Sequence, residues 1–119
     1  MHHPTIIPIS NLPDAQKAIE GIGSDPQSIS IMAPKMVFRV IKLDTIILQD
    51  AIILKQDMLS IGGEVAIPKE AFELHTENAS ILLSGTLQQF NILIQKLKRH
   101  YPRIQTIARE LEELIEEIE

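Results

Sequence analysis

The sequence predicts a small α/β domain, with a mixed or mostly parallel sheet of three to four short strands packed by helices and a long amphipathic C-terminal helix. Three observations carry this. At 119 residues the chain fits one domain, enough to bury a core but well short of the ~250 residues of a (β/α)₈ barrel. Hydrophobic content of 45% beside 23% charge is that of a folded protein, and the apolar share leans on isoleucine, which favours an aliphatic core. Finally, most apolar strand-like runs hand over directly to helix-like ones, the pattern of an α/β layer with parallel pairing.

Taken in order, "TIIPIS" (5–10) reads as a short strand, with Pro8 pointing to an edge. Asn11 then caps a helix whose Leu12, Ala15, Ile19 and Ile22 fall at helical spacing until Gly21 and Gly23 stop it. "QSISIM" (27–32) alternates after an "SDP" turn and reads as a second strand. Pro34 suits the first turn of a helix across "KMVFRVIKL", although its β-branched residues also allow an extended segment.

A helix from about Ile47 to Ile61 follows, closed by Gly62-Gly63, and "EVAI" (64–67) is a short strand. "PKEAFELHTEN" is a connection with room for one helical turn, and "ASILLS" (79–84) fills a buried strand. Thr86 caps the next helix, whose buried stripe is Leu87, Phe90, Leu93, Ile94, Leu97 and Tyr101. "KRHYPR" ends it with cations and a proline. This defines an α/β domain over 1–102 and an amphipathic helix over 103–119.

Charge and composition exclude several functions. Of the net charge of −5, −4 belongs to Arg103–Glu119, which holds two arginines and six glutamates. The rest is nearly neutral and lacks aromatic-basic interleaving, so no nucleic-acid partner is expected. No apolar run approaches a membrane span of ~20 residues, and the N-terminus has no signal-peptide pattern, so a cytoplasmic protein is expected. With no cysteine and no ligand spacing among His2, His3, His75 and His100, no metal is expected. No nucleophile-elbow pattern marks a hydrolase, and neither a catalytic residue nor a cofactor is assigned.

The residue that raises a question is Lys55. On a wheel of roughly 100° per residue it falls inside the apolar arc of Ala51, Ile52, Leu54, Met58, Leu59 and Ile61, opposite Gln49, Asp50, Gln56, Asp57 and Ser60. A buried unpaired ammonium costs several kcal/mol, so Lys55 must snorkel, pair with an acid such as Glu64 or Asp44, or face a ligand. If a ligand is bound, Lys55 with Gln56 would hold it, and the helix start at Thr86, with Lys35 and Arg39, would offer donors and charge to an anionic group. Capping and surface solvation are the plain alternatives. In the last helix, Ile104, Ile107, Leu111, Leu114 and Ile118 form a heptad-like seam for the domain's own sheet, a second copy or a following domain.

The blocks "ISIMAPKMVFRVIKL", "AIILKQDMLSIGGEVAIP" and "ILLSGTLQQFNILIQKLK" resemble, in order and spacing, the N-terminal extension of some bacterial and archaeal dihydropteroate synthases. "ILKQDMLSIGGEVA" and "SGTLQQF" are the distinctive ones. In that family the extension precedes a pterin-binding barrel that joins a dihydropterin diphosphate to 4-aminobenzoate. The barrel's "NVTPDSF"-like strand end, "RPG" loop and late "S-x-H" are missing from this sequence. "LDTIILQD" also lacks the Gly-x-Asp turn of the family, and "LHTENAS" replaces a more basic segment. The resemblance implies a non-catalytic accessory domain that associates with itself, as a dimer, or with a synthase-type barrel in folate biosynthesis. The other reading is a module binding a small anionic or pterin-like ligand through Lys55.

Overall fold

The computed structural model describes residues 1–69 and 78–118. The chain begins with α1 (Leu12–Ile22), which buries Ala15 and Ile19. The Asn11 side chain accepts a hydrogen bond from the Asp14 N–H at 2.8 Å, and Gly23, at φ +83°, closes the helix. Residues 5–10 form no strand, which corrects the first expectation. α2 (Pro26–Met32) replaces the second expected strand. Asp-Pro there is a helix start: the Asp25 carboxylate accepts from the Gln27 N–H at 3.0 Å, and Pro26 fills a position whose N–H needs no partner.

A 3₁₀ turn (Ala33–Lys35) then leads into β1 (Phe38–Ile47), the third correction. Pro34 starts only this short turn, and the β-branched and aromatic run that follows takes the extended form that suits it. α3 (Leu48–Ser60), β2 (Glu64–Ala66), β3 (Asn78–Thr86) and α4 (Leu87–Leu97) lie within a few residues of their expected bounds. The final helix, α5, spans Pro102–Ile118. The expected turn in "PKEAFELHTEN" falls mostly on 70–77, outside the described residues, as does His75.

Among the described residues the sheet has three strands in the order β1-β3-β2, and both pairs are antiparallel, which corrects the expected parallel pairing. Because β1 and β2 both oppose β3, they run parallel to each other on its two sides, joined across one face by α3. This is a split β-α-β arrangement. The strand-helix-strand rhythm did encode a parallel relationship, but β3 enters between the two strands. β1 and β3 stay in register from Phe38↔Thr86 to Leu43↔Ile81. Asp44 and Thr45 then form a bulge before Ile46↔Ala79, with Thr45 at φ +57°.

One face of the sheet carries Val37, Ile41, Val65, Ile81 and Leu83 into a core shared with Leu54 and Met58 of α3 and Phe90, Leu93 and Leu97 of α4. The other face leaves Phe38, Val40 and Leu82 exposed. On α3 the buried positions are Asp50, Ala51, Leu54 and Met58, whereas Leu59 is exposed, so the apolar arc is narrower than the wheel drew it. Among the described residues no helix is long and apolar enough to cross a membrane.

The stripe of α5 is spent inside the molecule. Ile104, Ile107, Ala108, Leu111 and Ile115 are buried in the same core, with α5 packed on α4, while Leu114 is 38% exposed. A straight helix follows 3.6 residues per turn, so the inward position after Leu111 is Ile115, not the heptad member Leu114. Ile104, Ile107 and Leu111 therefore do not form a free association seam. The Ile118 side chain lies outside the described part of the structure.

Candidate functional site

Lys55 leaves the apolar side of α3 sideways. Its Nζ donates to the Val65 carbonyl at 2.7 Å and to Glu64 Oε1 at 3.1 Å. The stem lies along the helix-sheet contact while the ammonium, on a side chain 36% exposed, reaches both acceptors at the margin of β2. Glu64 also accepts from the Val65 N–H at 2.8 Å. That backbone bond, and then the Lys55 ammonium, hold its carboxyl below the usual carboxylate range. This geometry is an ion pair stitching α3 to β2. Because the pair is partly solvated, it is worth little net stability. Lys55→Met, which keeps the stem and leaves Glu64 its backbone donor, is expected to hold or raise the urea midpoint, whereas Glu64→Ala lowers it.

The other candidates are not gathered around Lys55. Gln56 is exposed, and Lys35 sits in the 3₁₀ turn. Arg39 donates to the Phe38 and Ser10 carbonyls. Thr86 is a helix cap: its hydroxyl accepts from the Gln89 N–H at 3.2 Å, while Gln89 Oε1 accepts from the Thr86 N–H at 2.8 Å. This reciprocal pair satisfies two donors that a helix start leaves open.

Gln89, which the sequence reading overlooked, has a second task. Its Nε2 donates to the Ile61 carbonyl at 3.2 Å, tying the start of α4 to the end of α3. Gly62 takes φ +95° at that end, where side chains other than glycine's are strained. Met58, fully buried, lies against both Gly63 and Gly85: a Cβ on either would come within 2.7 Å of its side chain. The two distinctive blocks, "ILKQDMLSIGGEVA" and "SGTLQQF", thus meet in one joint, with Met58 and Gln89 from two helices filling the space above three glycines.

A polar cluster lies at the other end of α3. Asp50, placed by the wheel on the solvent arc, is 2% exposed. Arg103 Nε donates to its Oδ2 at 2.6 Å and Nη2 to its Oδ1 at 2.9 Å, and the Tyr101 hydroxyl donates to Oδ1 at 2.5 Å. The Arg103 guanidinium also stacks 4.9 Å from the Tyr101 ring centre. Tyr101 is therefore not part of the apolar stripe of α4 but half of a clasp. Burial pushes the Asp50 carboxyl up, but the hydrogen bonds from Arg103 and Tyr101 and the Arg103 charge outweigh it, and the group ends below the usual range. The bond to Asp50 in turn raises the Tyr101 hydroxyl, against the opposing influence of Arg103, and raises the Arg103 guanidinium.

The clasp borders a groove of about 560 Å³ lined by Lys42, Thr45, Thr106 and Glu110 as well as Asp50 and Arg103. Both cations of this wall are engaged within the chain, Arg103 by Asp50 and Lys42 by Asp44 at 3.5 Å. The arrangement fixes the first turn of α5 against the first turn of α3. Among the described residues no group of three or more histidines, aspartates or glutamates is placed to hold a metal ion. No family model, no curated protein and no solved structure matches this chain.

Proposed function

We propose that this chain is a non-catalytic accessory domain of the dihydropteroate-synthase type, acting by association with itself or with a pterin-pathway enzyme. The observation that carries the reading is the use made of the two distinctive blocks. Their Met58, Gly62, Gly63, Gly85 and Gln89 are consumed in packing and capping, and Lys55 is held by Glu64 and Val65, so what the blocks specify is a scaffold. The surface left over is an apolar sheet face, where Phe38 and Val40 are 57% and 59% exposed. Such a face is more in keeping with a macromolecular contact than with a small polar ligand.

Two measurements test this. Purified protein incubated with dihydropterin diphosphate and 4-aminobenzoate is expected to give no condensation product. Sedimentation equilibrium is expected to show a species heavier than 13.4 kDa, either alone or on addition of a dihydropteroate-synthase barrel. Turnover by the purified chain would overturn the assignment, as would a monomer that leaves the barrel's sedimentation unchanged.

A further inference from the structure

We infer that the partner is a second copy of this chain, joined antiparallel along the free edge of β1. The inference rests on the association reading above and names its surface. Among the described residues β1 is an edge strand, since it pairs there only with β3 in the order β1-β3-β2. Its direction of pairing follows from one bond beyond its end: the Leu87 N–H donates to the Val37 carbonyl at 2.9 Å. Val37 lies opposite Leu87 in the register set by Phe38↔Thr86, so this is a hydrogen-bonded pair of the antiparallel ladder. Such pairs alternate along the strands. Arg39, Ile41 and Leu43 therefore turn their backbone groups to β3, while Phe38, Val40 and Lys42 turn theirs outward.

Among the described residues the outward groups are poorly served. Arg39 Nη1 donates to the Phe38 carbonyl at 3.0 Å and leaves that oxygen a second lone pair. Val40 and Lys42 have no corresponding contact among the described residues. A dyad through Val40 aligns these groups with their own copies. Val40 then faces Val40, and Phe38 faces Lys42 on both sides of the axis. About six backbone hydrogen bonds close the junction.

Side chains agree with this register. On the open face the pairs are valine with valine and an aromatic ring with an ammonium, so no like charges stand opposite each other. The pairing ends at Lys42, just before the Asp44-Thr45 bulge bends the strand. Lysine and a bulge commonly guard an edge against indiscriminate pairing. In this register the lysine meets a phenylalanine and the bulge limits the length, so both restrict the edge to one partner geometry. The product is a continuous six-stranded sheet.

Sedimentation equilibrium and amide hydrogen exchange test the inference together, up to about 100 µM protein. The wild type is expected to approach twice 13.4 kDa, with the Val40 and Lys42 amides exchanging more slowly as concentration rises. Val40→Lys places two ammonium groups opposite each other at the dyad, on a side chain 59% exposed, and should weaken the dimer at least tenfold with an unchanged far-UV spectrum. Leu114→Glu, on the exposed side of α5, should leave the mass unaltered. A wild-type monomer, an unaffected Val40→Lys dimer or dissociation by Leu114→Glu would each overturn the β1 dimer. A chain that is monomeric alone but binds the synthase barrel would also overturn it, while leaving the association reading intact.

Discussion

Met58→Ala is expected to lower the free energy of unfolding by about 3 kcal/mol, and Gly63→Ala, harmful in the wild type, is expected to become neutral or favourable in that background. Removing a fully buried methionine side chain loses its transfer free energy and leaves a cavity bounded by Gly63 and Gly85. In the wild type an alanine at 63 would put its Cβ 2.7 Å from Met58 Cγ and 2.8 Å from its Sδ and Cε. The methyl end of Met58 can swing aside, but Cγ, next to the helix backbone, cannot, so overpacking should cost about 1–2 kcal/mol. With Met58 truncated, the added methyl enters space that is already empty, and alanine loses less backbone entropy on folding than glycine.

The double-mutant cycle in urea should therefore show a coupling of about 1–2 kcal/mol in the compensating direction. Gly85→Ala should be relieved less by Met58→Ala than Gly63→Ala is, because its Cβ would also meet Gln89 Oε1 at 2.8 Å, which the Thr86 N–H holds in place. Additive effects would mean that Met58 does not fill the space between the glycines. Such a result would remove the structural account of the two distinctive blocks and, with it, the main support for reading them as a scaffold.

What the sequence made legible follows the range of the interactions involved. α1, α3, α4 and β3 were readable because their signals are local: Asn11 bonds to the Asp14 N–H, Thr86 exchanges bonds with Gln89, and Gly62 takes a positive φ at a helix end. "QSISIM" and "KMVFRVIKL" were exchanged because both are short and apolar at spacings that suit either period. The deciding cue was the Asp25 cap in front of Pro26. Strand order was beyond reach: nothing local states that β3 inserts between β1 and β2. Lys55 could be placed by elimination, since its buried stem required an acceptor. Asp50 could not, because Tyr101 and Arg103 lie 51 and 53 residues away. An aspartate in the first turn of a helix already has an ordinary explanation in the helix dipole.

That clasp carries the second large effect. At neutral pH the wild-type carboxylate of Asp50 is held by two bonds from Arg103 and one from Tyr101, and its folded pKa lies below the unfolded value of ~3.9. A depressed pKa means that its contribution to stability is fully present above pH ~3.9 and is lost as pH falls through the lower, folded value. Arg103→Met removes both charged donors but keeps an apolar stem over Tyr101. Asp50 then retains one hydroxyl donor at 2% exposure, and burial, the largest single influence on it, is no longer outweighed. Stranding this carboxylate is expected to cost about 3 kcal/mol at pH 7. The sign of the pH dependence should also invert. In the variant the folded pKa of Asp50 rises above the unfolded one, so the folded state takes up the proton first, and lowering the pH through that range relieves the penalty instead of adding to it. The difference in unfolding free energy between wild type and Arg103→Met should be largest at pH 6–7 and shrink steadily toward pH 3–4, whereas Asp50→Asn, which has no carboxylate to titrate, should remove the wild type's acid-dependent loss without introducing the inverted slope. Urea titrations of the three proteins across this range decide the matter, and a constant wild-type-to-Arg103→Met gap would show that Asp50 does not depend on Arg103 for its charge.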